Sequence, residues 1–157
     1  MNKYEFVPGD EITIEPGRTV KRIRALVAIA AFDVSVGDLG GYVESEKNLA
    51  QVSSDARVSS DAWVSGYALV SGNALVSGDA QVSGNGLIFW ASKVGTQNGT
   101  LTVYDTKDNA LEVTRGCFRG SVDEFLSKSE VEHDDQTHLE YRLLIEVAHS
   151  RITRARK

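Results

Sequence analysis

Valine returns every sixth residue through the middle of the chain, at Val52, Val58, Val64, Val70, Val76 and Val82, and Ile88 and Val94 continue the step. Alanine keeps the same interval at Ala56, Ala62, Ala68, Ala74 and Ala80, always two residues before the next valine. A period of six does not suit a helix, whose faces recur about every 3.6 residues, and each unit carries a β-branched residue and usually glycine. Hairpins in a flat sheet give no reason for near-identical units. A solenoid of short strands and turns around a narrow core does.

Residue types fit that reading. Valine suits an inward-pointing strand site, and the small alanine can point inward near a corner. Ser-Gly-Asn or Ser-Gly-Asp between them is turn chemistry that tolerates positive φ. In the first two units Ser53-Ser54-Asp55 and Ser59-Ser60-Asp61 stand there instead, so those corners are expected to be less permissive. With three units to a coil, residues eighteen apart stack about 4.8 Å apart. Val52, Val70 and Ile88 would then share one column, Val58, Val76 and Val94 a second, and Val64 and Val82 a third. The position before each valine reads Gln51, Arg57, Trp63, Leu69, Leu75, Gln81 and Leu87, with unexpectedly large apolar residues for a solvated face. Either the flanks fold over them, or Trp63, Tyr67, Leu69, Leu75 and Leu87 form a subunit interface.

Val70-Ser71-Gly72-Asn73-Ala74-Leu75 resembles the hexapeptide-repeat family, although Ser stands where that family often has Gly. The resemblance implies a short left-handed parallel β-helix and an oligomer, commonly a trimer. Spacing leaves the hand open, and bactofilin-like filament proteins build a three-sided β-helix of the opposite hand. The expected class is mainly β, with an N-terminal β-rich cap over 1–50, the repeat over 51–99, and a C-terminal β-hairpin plus two helices over 100–157.

The flanks carry these expectations. Ile12-Thr13-Ile14-Glu15, the Pro16-Gly17 turn signal and the run Thr19 to Leu26 read as a hairpin, and Val36 to Val43 leads into the repeat. Leu101 to Tyr104 and Leu111 to Thr114 read as strands around a turn-rich Asp105 to Asn109. Ser121-Val122-Asp123-Glu124 is a capping box that starts a helix near Val122. After the polar connection His133 to Gln136, a second helix spans about Thr137 to Ile152, with Leu139, Leu143, Val147 and Leu144, Ala148, Ile152 at helical spacing. Together with Gly37 to Leu49 and Thr114-Arg115-Gly116-Cys117-Phe118, this arrangement resembles a family of small bacteriophage and prophage hexapeptide proteins, often labelled polymer-forming. That resemblance implies a phage origin and supplies no catalytic residue.

Function is constrained more by what is absent. In 157 residues the net charge is −5, which argues against a large nucleic-acid footprint. The single Cys117 forms no internal disulfide framework and reads as a buried structural thiol. No apolar run follows Met1-Asn2-Lys3, and Ala25 to Phe32 is far too short to span a bilayer, so neither a secretory leader nor a membrane segment is expected, and the location is cytoplasmic, within an infected host. Neither a metal site nor a cofactor is expected. Hexapeptide proteins are often acyltransferases with a histidine base acting on a coenzyme A thioester or acylated carrier. The three histidines, His133, His138 and His149, all fall in the helical tail, which argues against that chemistry. A binding protein fits better. Arg115 and Arg119 beside Gly116 could cradle an anion, with Lys93 and Arg57 in one stacked column and Trp90 stacking on a base. The phage resemblance suggests counter-defence, by sequestering a nucleotide signal or binding a host defence protein. A filament is disfavoured by flanks that read as caps.

Overall fold

The structure, a computed structural model, describes residues 2–30, 33–51, 55–59, 61–66, 68–78, 80–96, 99–116 and 118–156, and of Asn85 the backbone alone. Among these residues eleven strands form three sheets, followed by two α-helices. The chain is mainly β, but the expected left-handed parallel β-helix is corrected. One sheet has five strands and mixes antiparallel with parallel pairs, a second has four strands, all antiparallel, and only a third, of two strands, is wholly parallel. The physical reason lies in what a six-residue pattern specifies. It selects the inward side chains and the few parallel pairs in its middle, while the longer strands on either side set the antiparallel pairing.

β1 (Tyr4–Glu15) and β2 (Arg18–Ala25) make the expected hairpin across Pro16-Gly17, with β1 beginning well before Ile12. Pro8 falls at the register shift between Phe6 and Glu11 on the outer strand, where its missing N–H breaks no ladder. β3 (Leu39–Val43) joins the flank to the repeat. It pairs antiparallel with β2 and, on its other edge, parallel with β5 (Trp63–Val64), which pairs in turn with β7 (Gln81–Val82). The separate parallel pair is β4 (Arg57–Val58) with β6 (Leu75–Val76). The start of the repeat is anchored by side chains as well. The buried Lys3 ammonium donates to the Ala56 carbonyl at 2.7 Å, and the Tyr4 hydroxyl donates to the Leu49 carbonyl at 3.1 Å.

Within the repeat the step of eighteen holds for Val58 with Val76 and for Val64 with Val82. At its start the step lengthens by one short turn: Val43 faces Val64, and Leu49 faces Val70. A 3-10 turn at Glu46–Asn48 takes up the extra residues, and Val52, expected beneath Val70, lies outside the described residues. At its end a second 3-10 turn, Asn85–Leu87, directs the chain into β8 (Ile88–Val94), so Val94 faces Gly99 and does not stack on Val76. Between those ends the inward valines and alanines are fully buried. The corners repeat one hydrogen bond. Ala68, Ala74 and Ala80 N–H groups donate to the Ser65, Ser71 and Ser77 carbonyls at 3.3, 3.2 and 3.4 Å. Gly66, Gly72 and Gly78 hold φ of 62, 63 and 66° at those corners, a conformation glycine adopts without steric strain.

Glu44 ties a corner to the flank. Its carboxylate accepts from Arg18 at 2.9 and 3.1 Å and from the Gly66 N–H at 2.7 Å. Those Arg18 bonds first, and the Gly66 bond second, pull its pKa down to about 2.

The C-terminal third forms the antiparallel sheet and the helices. β8, counted with the repeat in the sequence reading, pairs with β9 (Gly99–Asp105), then come β10 (Leu111–Arg115) and β11 (Phe118–Ser121). α1 (Val122–Glu132) begins at the expected capping box, where the Ser121 hydroxyl accepts from Glu124 N–H at 3.1 Å and Glu124 accepts from Ser121 N–H at 3.0 Å. α2 (Asp135–Ala155) starts inside the stretch read as a connection, because Asp134 accepts the Thr137 N–H at 2.8 Å and caps it. Strand alternation gives this sheet two faces. Ile88, Trp90 and Tyr104 turn to the repeat, and Phe89, Leu101, Val103 and Val113 turn to the helices. Tyr141, Ile145, Ala148 and Ile152 of α2 close that second core, while Leu139, Leu143 and Val147 remain outside. No helix among the described residues is long and apolar enough to cross a membrane.

Two glycines separate conformation from space. A Cβ on Gly66 would meet the Ser83 carbonyl and sit at positive φ, whereas Gly84 is extended with nothing nearby. Gly66→Ala should therefore lower stability by more than about 1 kcal/mol, and Gly84→Ala by less than about 0.5 kcal/mol, in urea denaturation. Glu44 gives a pH signature. Its folded pKa is below the unfolded value, so its stabilisation is complete above about pH 4.5 and is lost as pH falls towards 2. Glu44→Gln should flatten the stability profile in that window, measured by denaturation at stepped pH.

Candidate ligand-binding cleft

The β10–β11 hairpin decides where the two sequence-predicted arginines go. Arg115 pairs with Phe118 across the turn at Gly116, and Thr114 pairs with Arg119. Directly opposed residues share a face and neighbours along a strand do not, so Arg115 and Arg119 lie on opposite faces of the sheet. They do not form a joint cradle. Arg119 lies on the repeat side, where a Cβ on Gly78 would meet its guanidinium and the Glu112 carboxylate.

Arg115 faces the helices. Its Nε donates to the Tyr141 hydroxyl at 2.9 Å, and its guanidinium carbon lies 6.0 Å from the Tyr141 ring centre. The guanidinium packs on the β8–β9 turn, where a Cβ on Gly99 would come within 2.9 Å of it. Among the described residues Arg115 has no carboxylate partner. Glu140, nearby on α2, is engaged by the Gly95 N–H at 2.7 Å.

Around Arg115 the hairpin, the end of α1 and the start of α2 enclose a cleft of about 240 Å³ lined by Thr96, Arg115, Gly116, Phe118, Phe125, Lys128, Ser129, Glu132, His133 and Tyr141. The aromatic rings form a continuous run. Phe118 meets Phe125 edge-on at 5.3 Å, Phe125 meets Tyr141 at 5.0 Å, and the His133 ring is 5.6 Å from Tyr141. Lys128 Nζ stands 5.4 Å from the Phe118 ring centre and likewise has no carboxylate partner among the described residues. Ser129 is buried, its hydroxyl 3.2 Å from His138 Nδ1 and its carbonyl accepting from His133 N–H at 3.0 Å, so both histidines are positioned by one helical turn. The cleft therefore combines a guanidinium, an ammonium and an imidazole with aromatic surface, and Glu132 opposes them. An arginine with free N–H groups recognises phosphate or carboxylate in a fixed fork, and lysine adds a point charge.

The other expected residues disperse. Lys93 is exposed at the bulge between Ser92 and Val94, with φ 61°. Arg57 sits half-buried in β4, its guanidinium 3.4 Å from the Leu39 carbonyl, and burial pushes its pKa down. They belong to different sheets, so the expected Lys93–Arg57 column is corrected. Trp90 packs against the repeat core, with its indole nitrogen close to Gly72. Of the expected interface, Leu75 is covered by the antiparallel sheet: its N–H donates to the Thr102 hydroxyl at 3.2 Å, and its carbonyl accepts from Thr114 at 2.7 Å. Leu87 packs against both apolar cores, Trp63 is half-buried, and Leu69 is 39% exposed. Tyr67 and Cys117 lie outside the described residues.

Lys128 and Tyr141 were not picked out from sequence, and His133 was weighed there only as an acyl-transfer base. Only Tyr141 left a signal, as the first of Tyr141, Ile145, Ala148 and Ile152 on one helical face. A second, larger cleft of about 440 Å³ borders Gln81, Asp105, Lys107 and Arg156, but Arg156 is spent on Asp105 at 2.8 and 3.1 Å. Among the described residues no group of three or more His, Cys, Asp or Glu side chains could hold a metal ion. No family model matches the chain, and searches of curated proteins and of solved structures found no match either.

Proposed function

We propose that this protein binds rather than transforms its ligand, and that the Arg115 cleft takes a phosphate-bearing, nucleotide-like molecule. The observation that carries the reading is the pair of cations, Arg115 and Lys128, without carboxylate partners among the described residues and set beside the Tyr141 and Phe118 rings. The cleft volume of about 240 Å³ falls below the roughly 300–1,000 Å³ of pockets that enclose a drug-sized ligand. It suits a phosphate end and part of a ring, with the rest of the molecule projecting outwards. The resemblance to phage hexapeptide proteins supports a setting in the cytoplasm of an infected bacterium, where sequestering a nucleotide signal would counter a defence system.

Calorimetry against mononucleotides, cyclic dinucleotides, acyl-coenzyme A and inorganic phosphate tests this. A nucleotide should bind without being converted, and Arg115→Ala and Lys128→Ala should each weaken it about 10–100-fold, the worth of a charge-assisted contact. Binding should also weaken as salt rises. Response to acyl-coenzyme A alone, with acyl transfer lost in His133→Ala, would replace this reading with an enzyme. No small-molecule response, together with a host protein retained by the chain, would favour recognition of a defence protein.

A further inference from the structure

The outer ridge of α2 is apolar, and none of the described residues covers it. Leu139, Leu143 and Val147 are 38, 51 and 48% exposed and follow one another at a step of four, so they lie along one side of the helix. No other element among the described residues exposes more than one large apolar side chain. An aligned set of this kind marks a contact surface, whereas scattered single residues do not.

We infer that this ridge pairs, antiparallel, with the same ridge of a second copy of the chain. The charges on the helix argue for that occupant and that direction. Its beginning carries Asp134 and Asp135, just after Glu132, and its last turns carry Arg151 and Arg154. A two-fold axis through Leu143 sets Leu139 opposite Val147 and Asp135 opposite Arg151. Asp135 and Arg151 each lie about 12 Å along the helix from Leu143, so the charges bracket the apolar ridge. Among the described residues neither makes an ion pair within its own chain. The same axis sets Glu140 opposite Glu146, but Glu140 is drawn to its own body by the Gly95 N–H at 2.7 Å. A parallel pairing would instead set acid against acid and base against base, and would align the two helix dipoles unfavourably. Two-fold pairing of one self-complementary patch is also the commonest closed assembly. The interface so defined lies on α2 and not on the repeat, and it makes a dimer in place of the expected trimer. It stands independently of what the Arg115 cleft binds.

Light scattering of the full chain tests the inference. The natural chain should have twice its 17.1 kDa mass. Leu143→Glu should return it to the mass of one chain with unchanged far-ultraviolet circular dichroism, since the position is exposed. Arg151→Asp should weaken the dimer, more so at low salt, and the double variant Asp135→Arg, Arg151→Asp should restore it. A monomeric or trimeric natural chain overturns the inference, as does a dimer that survives Leu143→Glu. Failure of the double variant to restore the dimer overturns the antiparallel register.

Discussion

A strand two residues long can offer its neighbour only one or two hydrogen bonds, and the repeat is made of such strands. Trp63 and Ser65 donate to the Ala80 and Val82 carbonyls at 3.1 and 2.8 Å, and Arg57 and Ser59 do the same to Ala74 and Val76 at 3.0 and 2.9 Å. Such ladders cannot hold their own edges. Both flanks therefore bond into the repeat: β3 continues its five-stranded sheet on one side, and Thr102 and Thr114 bond to the Leu75 backbone on another. The narrow valine core is stable because other parts of the chain complete it.

The antiparallel sheet divides the molecule by simple alternation. One face seals the repeat with Ile88, Trp90 and Tyr104, and the other receives two helices. Tyr104 shows how polar groups are placed at that seam. Its hydroxyl donates to Glu112 at 2.6 Å and accepts from the Ser77 N–H at 3.4 Å, and burial, followed by the Glu112 carboxylate, pushes its pKa far up. The same alternation parts Arg115 from Arg119, so four residues of separation in sequence become two sides of a sheet.

Local signals were the legible ones. The Pro16-Gly17 hairpin, the β9–β10 pair and the Ser121–Glu124 capping box all follow from residues that act on their immediate neighbours. The inward valines and alanines were legible too, because a period names a face. Pairing was not. The three residues Glu46–Asn48 lengthen the step at the start of the repeat by one turn, and nothing in the valine spacing announces them. On α2 the spacing allowed two apolar stripes, and only packing against β8 and β9 chose between them. The cleft was the least legible feature, since it exists only where the end of α1, the start of α2 and a hairpin meet.

Among the described residues Leu87 alone packs against both apolar cores. It belongs to the 3-10 turn that carries the chain out of the repeat, beside the end of α2, where a Cβ on Gly86 would touch Ala155 at 2.5 Å. That side chain joins the two apolar cores beside the polar seam at Tyr104. A smaller residue at 87 would loosen the bond between layers more than it would weaken either one. The repeat and the helical layer would then open as more separate units, each with its own hydrogen-exchange threshold.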